Sequence, residues 1–245
     1  MRYFYYIMKL FYHKAIFSIL ILCLAFFSSC ATRIDGALAA DGSASLSVAV
    51  SLEQQMASLV QRLSAAGGQS GGPVLDGPAI STSMAAARGV ASAALRNTGP
   101  AAIEGQIRIS AIGEFLASAD GRGFIEFTQS GTGGRCLINI SRENGPVIVE
   151  LLSPQIADFL NALMAPLATG EELSRAEYLE LVASFYNRAI SDEITGSRLR
   201  ASIDFPGAVT SVRGGTFSGR RVNFDIPLVD LLVLETPLSY SVNWN

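Results

Sequence analysis

Apolar residues return at the helical period in three stretches of this chain and alternate with polar ones in several others. Leu52, Met56, Leu59, Val60 and Leu63 share one face of a helix that Ser51 and Gln54 open as a capping box. A second helix is capped by Ser153, has Pro154 at its first position, and carries Ile156, Phe159, Leu160, Leu163, Met164 and Leu167 in one stripe, with Pro166 ending or bending it. A third begins at the capping box Ser174 and Glu177 and runs its stripe through Tyr178, Leu181, Val182, Phe185, Tyr186 and Ala189.

The alternating stretches predict strands. Residues 43–50 place Leu46, Val48 and Val50 on one face, after the Asp41-Gly42 turn. Strands follow at 90–96 and 103–110, across Asn97-Thr98-Gly99-Pro100, with helical turns before them at 83–88. After a short helix at 112–116, residues 124–127 and 135–142 form a hairpin across Gly131-Thr132-Gly133-Gly134. Strands at 199–205, 208–213 and 220–225, punctuated by Pro206-Gly207 and Gly214-Gly215, read as an antiparallel meander. A short helix to about 235 and a strand at 238–244 finish the chain. Because helices cluster between strand groups, the predicted class is α+β: a mostly antiparallel sheet with two main amphipathic helices packed on one face.

The start of the chain follows a different pattern. Arg2, Lys9 and Lys14 precede a 13-residue apolar core, residues 15–27, and then Phe27-Ser28-Ser29-Cys30. The core is shorter than the ~20 residues a spanning helix needs, and small side chains before Cys30 suit a signal peptidase. This stretch resembles bacterial lipoprotein signal peptides of the relaxed, spirochaete type. The resemblance implies cleavage before Cys30, lipidation of that cysteine, export, and anchoring to a bacterial membrane. Ala31 in the next position, where Asp would be a retention signal, favours the outer membrane. The expected organisation is a signal peptide over 1–29, a lipidated tether over 30–42, and one domain over 43–245 with a Gly-rich loop at 66–78.

Removing that segment changes the chemistry available. His13, Lys9 and Lys14 all lie within it, so the remaining chain has neither His nor Lys. Its 15 arginines against 21 acids give a formal charge of −6, which argues against nucleic acid as a partner. Nucleophiles activated by His, Schiff-base lysines and the usual zinc ligand sets are ruled out there, and neither a cofactor nor a metal is implied. Gly68-Gln69-Ser70-Gly71-Gly72 matches the spacing of a nucleophile elbow but lacks the strand, helix and histidine that motif requires, and reads as a loop. Cys136 reads as a small buried hydrophobe and Trp244 as a core or sheet-edge cap.

Phe205-Pro206-Gly207-Ala208-Val209 and residues 214–222, together with Ala40-Asp41-Gly42-Ser43-Ala44 shortly after the cysteine, resemble LppM-type bacterial lipoproteins. That resemblance implies an envelope protein that binds lipid or an envelope partner, and it brings no catalytic residue. Candidate contacts to an anionic headgroup are Arg213, Arg220 and Arg221, since arginine forks suit phosphates and carboxylates. Phe159, Leu163, Met164, Tyr178, Val182 and Phe185 are candidates either for a lipid pocket or for plain core packing. Two other functions stay open: a glycan hydrolase built on two carboxylates, from among Glu126, Glu150, Asp204 and Asp225, and a structural or adhesive surface lipoprotein.

Overall fold

The computed structural model describes residues 31–66, 73–118, 124–150 and 159–245. Cys30, the signal segment, residues 67–72 and the first part of the predicted 154–167 helix lie outside the described residues. The fold is α+β and mostly antiparallel, as the patterning predicts, but it has two sheets.

Residues expected to be a tether instead form strand β1, Ala31–Leu38, at the middle of the larger sheet. It pairs antiparallel with β2 (Ala44–Ser51) and parallel with β7 (Arg198–Asp204). Along β1, Thr32, Ile34 and Leu38 alternate with Arg33, Asp35 and Ala37, and Gly36 interrupts the apolar series. In the fold, Gly36 lets two side chains close over the strand: a Cβ there would stand 2.5 Å from Leu46 Cδ2 and 3.0 Å from Ile203 Cδ1, and both side-chain ends would have to shift.

The seven strands run in the order β3-β4-β2-β1-β7-β10-β9, with β3 at Val90–Gly99, β4 at Ala102–Ile109, β9 at Thr216–Ser218 and β10 at Arg221–Pro227. The second sheet has the order β5-β6-β11-β8, from Ile125–Ser130, Gly133–Ile140, Leu238–Trp244 and Val209–Arg213. The predicted meander is therefore split. After β7 the chain crosses at Pro206-Gly207 to the second sheet, where β8 pairs with β11, and returns through β9 to pair β10 with β7. Strand propensity and turn punctuation are the same for both arrangements, so the partner is set by the packing of Phe205, Val209 and Trp244 into one core.

The helices are α1 (Gln54–Ala66), α2 (Gly77–Ala85), α3 (Ile112–Ser118), α4 (Gly145–Glu150), α5 (Pro166–Thr169), α6 (Arg175–Phe185), α7 (Arg188–Gly196) and α8 (Leu228–Val233). Helix α2 starts within the expected loop because Asp76 caps it, accepting from the Ala79 N–H at 2.9 Å, and Pro78 fits its first turn. It lies along β3, the sheet's edge. Ser81 Oγ accepts from the Leu95 N–H at 2.7 Å and donates to the Gly77 carbonyl at 2.8 Å, supplying a partner to an edge-strand amide.

Both predicted long helices are interrupted. Residues 159–162 are helical, then Met164 takes φ 51°, Ala165 is extended, and Pro166 opens α5. Proline disfavours the helical conformation of the residue before it, so the break falls at Ala165. The capping box of Ser174 and Glu177 opens α6 as read, but Asn187 accepts from the Ile190 N–H at 2.9 Å and starts a separate α7. One carboxylate joins two helices. Glu193 on α7 accepts from the Gln55 and Met56 N–H groups at 2.9 and 2.7 Å, capping α1 from outside.

Two apolar cores result. The helical core gathers Met56, Leu59, Leu163, Tyr178, Val182, Ile190, Ile194 and Val229. The other lies between the sheets, around Leu38, Phe205, Val222, Val242 and Trp244, with the Phe205 and Trp244 rings 4.7 Å apart. Trp244 thus fills a core, as expected.

Candidate binding surfaces

Strict alternation along the larger sheet sorts its residues onto two faces. On the outer face, charges pair across strands, Arg221 with Asp204 at 3.0 Å, Arg198 with Asp225 at 2.6 Å, and Arg96 with Glu104, and along β1, Arg33 with Asp35 at 2.6 Å. The hydrogen bond from Arg33 holds the Asp35 carboxyl below its ordinary range.

The inner face is apolar. Its central strands contribute Ile34 from β1, Leu46, Val48 and Val50 from β2, Leu199 and Ala201 from β7, and Ile226 from β10. All seven are only half-buried, and among the described residues they belong to neither core. The inner face of the smaller sheet repeats this, with Ile125, Ile138 and Tyr240 half-buried between its ends. Phe224 meets Tyr240 edge-on, with ring centroids 5.6 Å apart, linking the two sheets. An apolar strip therefore runs along the inner faces, with the helical core beyond one end and the inter-sheet core beyond the other.

Two open grooves lie at opposite ends of β1. The far one, about 630 Å³, is floored by small residues, among them Ala37, Ala40, Ser43 and Ser45, and is edged by Arg108 and Arg220. Among the described residues neither arginine has an ion-pair partner, so the groove offers two free guanidinium groups over a shallow floor. The near one, about 550 Å³, lies between α1 and the β3–β4 turn.

The sequence candidates are dispersed. Arg220 edges the far groove, Arg221 is paired with Asp204 on the outer face, and Arg213 stands exposed on β8 in the other sheet. Leu163, Tyr178 and Val182 are wholly enclosed in the helical core, with Phe159 at its margin and Met164 half-buried, while Phe185 is 67% exposed. These six do not share one surface. Burial raises the Tyr178 hydroxyl pKa, and that hydroxyl has no hydrogen-bond partner among the described residues. Cys136 is half-buried on β6, and burial pushes its thiol up to about 11.

Of the four candidate carboxylates, the side chain of Glu150 lies outside the described residues, and the other three are not gathered around one groove. Asp204 and Asp225 are each engaged by arginine, and Glu126 lies on the other sheet. Among the described residues no three His, Cys, Asp or Glu cluster as a metal site would. Sequence reasoning missed Arg108 and the inner strip. The first looks like an ordinary outward-facing residue of β4 between Ile107 and Ile109, and the second needs the pairing of β1 with β7, two strands far apart in the chain.

No family model matches the chain, and no curated protein matches it. Among solved structures it is similar to the folded domain of the LppM protein of Mycobacterium tuberculosis, at 10% identity and a TM-score of 0.38, over 89% of this chain and 90% of that one. At this distance the likeness carries neither a family nor any residue's role.

Proposed function

We propose that this chain is an exported bacterial lipoprotein, anchored through Cys30, whose domain is non-enzymatic and holds an acyl chain of a membrane lipid along the inner apolar strip. The observation that carries the reading is that strip: seven half-buried aliphatic or small side chains on four adjacent strands, part of neither core among the described residues. Apolar area left accessible on the inside of a fold is costly unless something covers it, at roughly 25 cal/mol per Å². The lack of His and Lys after Cys30 supports a binding role over catalysis. The two free arginines of the far groove suit a phosphate or carboxylate and keep a polar headgroup within the same reading.

The test is native mass spectrometry of the purified protein after incubation with phospholipid vesicles. Ala201 is the small residue at the middle of the strip, beside Ile34 and Phe224 in the strand register. Ala201→Phe should lower lipid occupancy several-fold, whereas Ser47→Phe on the outer face should leave it unchanged. A wild-type protein that takes up no lipid would end the proposal.

A further inference from the structure

We infer that the end of the domain where β1 begins rests directly on the bilayer, with the uncharged near groove as its lipid-contacting surface. The inference rests on the anchoring of Cys30 proposed above and names the face that anchoring presents.

Ala31 is already a paired strand residue, opposite Ser51 on one side and Arg198 on the other. No linker separates it from Cys30, whose Cα is about 3.8 Å away along the chain. The acyl chains would thus enter the membrane from the end of the sheet itself, and the domain has no slack with which to stand off or turn over. The register then fixes what lies beside them. Ser51 pairs with Ala102, so the near groove begins two strands from the anchor, about 10 Å away at ordinary strand spacing.

That groove is lined by Leu52, Ala57, Val74, Pro100 and Ala101, together with uncharged polar residues of α1, and contains no acid or base. In a chain of net charge −6 after Cys30, the lining itself brings no ion to desolvate; the acids at its margin are Glu53, between Leu52 and Gln54, and Glu193, whose carboxylate is taken up by two amides of α1. Arg198, in the terminal row, is neutralised by Asp225 at 2.6 Å, and Arg62 stands exposed on α1 one residue beyond Gln61 of the lining. The Arg108 and Arg220 groove lies at the other end of the eight-residue β1, about 25 Å away, and faces the compartment.

The experiment uses the full chain, processed in cells and reconstituted into phosphatidylcholine–phosphatidylglycerol vesicles that carry headgroup spin labels. In a Cys136→Ala background, Gln61→Cys beside the near groove and Ser43→Cys in the far one each receive a small fluorophore. Quenching should be several-fold stronger at position 61. The mass of the N-terminal peptide reports acylation of Cys30 separately. An acylated protein quenched equally at both positions, or more at 43, would overturn the orientation and leave the anchor standing. An unacylated Cys30 would overturn both.

Discussion

At the residue scale the clearest electrostatic conflict is between Glu53 and Glu193. Glu193 spends its carboxylate on two amides of α1, while partial burial and the charge of Glu193 raise the pKa of Glu53. A raised carboxyl binds its proton more tightly in the folded than in the unfolded chain, so stability present below the ordinary glutamate range is lost as pH rises through the higher folded value. Glu53→Gln removes that loss. Thermal denaturation should show the variant more stable than wild type at pH 7, by no more than about 0.5 kcal/mol, with the gain fading as pH falls below the glutamate range. A gain that persisted at low pH would assign it to something other than charge.

At the scale of elements, the edge of the large sheet depends on a side chain. Ser81 on α2 accepts the outward N–H of Leu95, so Ser81→Ala leaves a buried donor without its partner and loosens the helix from β3. The expected cost is about 1–2 kcal/mol in chemical denaturation, with faster aggregation on warming as the edge becomes free to pair with other chains. Local signals of this kind were legible beforehand: the Ser174 capping box, the hairpin strand expected at 135–142, which runs over Gly133–Ile140, and the 238–244 strand all follow from neighbours in sequence. What could not be read was partnership. Gly36 and its charged neighbours look like a linker until Leu46 and Ile203 are known to close over them, and β8 looks like the next strand of a meander until Trp244 draws it into the other sheet. The candidate site suffered most from this. Its inner strip is assembled from strands at both ends of the chain, whereas the apolar helix stripes, the most visible signal, mostly fill the core.

At the scale of the whole molecule, β1 is the strand that distinguishes a tethered domain from one built onto its anchor. Deleting residues 31–38 would shorten a tether harmlessly, but here it strips β2 and β7 of their shared neighbour at the centre of the sheet. The deleted protein should fail to give a cooperative melting transition, with soluble yield falling sharply. A normal transition would contradict the placement of β1.

The same parallel pairing has a consequence in time. A chain is made from its N-terminus, so β1 and β2 can pair as soon as both emerge, yet the other edge of β1 must wait for β7, after most of the chain has followed. Closure of that long loop is slow compared with hairpin formation. During the delay a half-finished sheet presents Ile34, Leu46 and Val48 on one face and an unpaired edge beside them, a species that escorting chaperones would recognise.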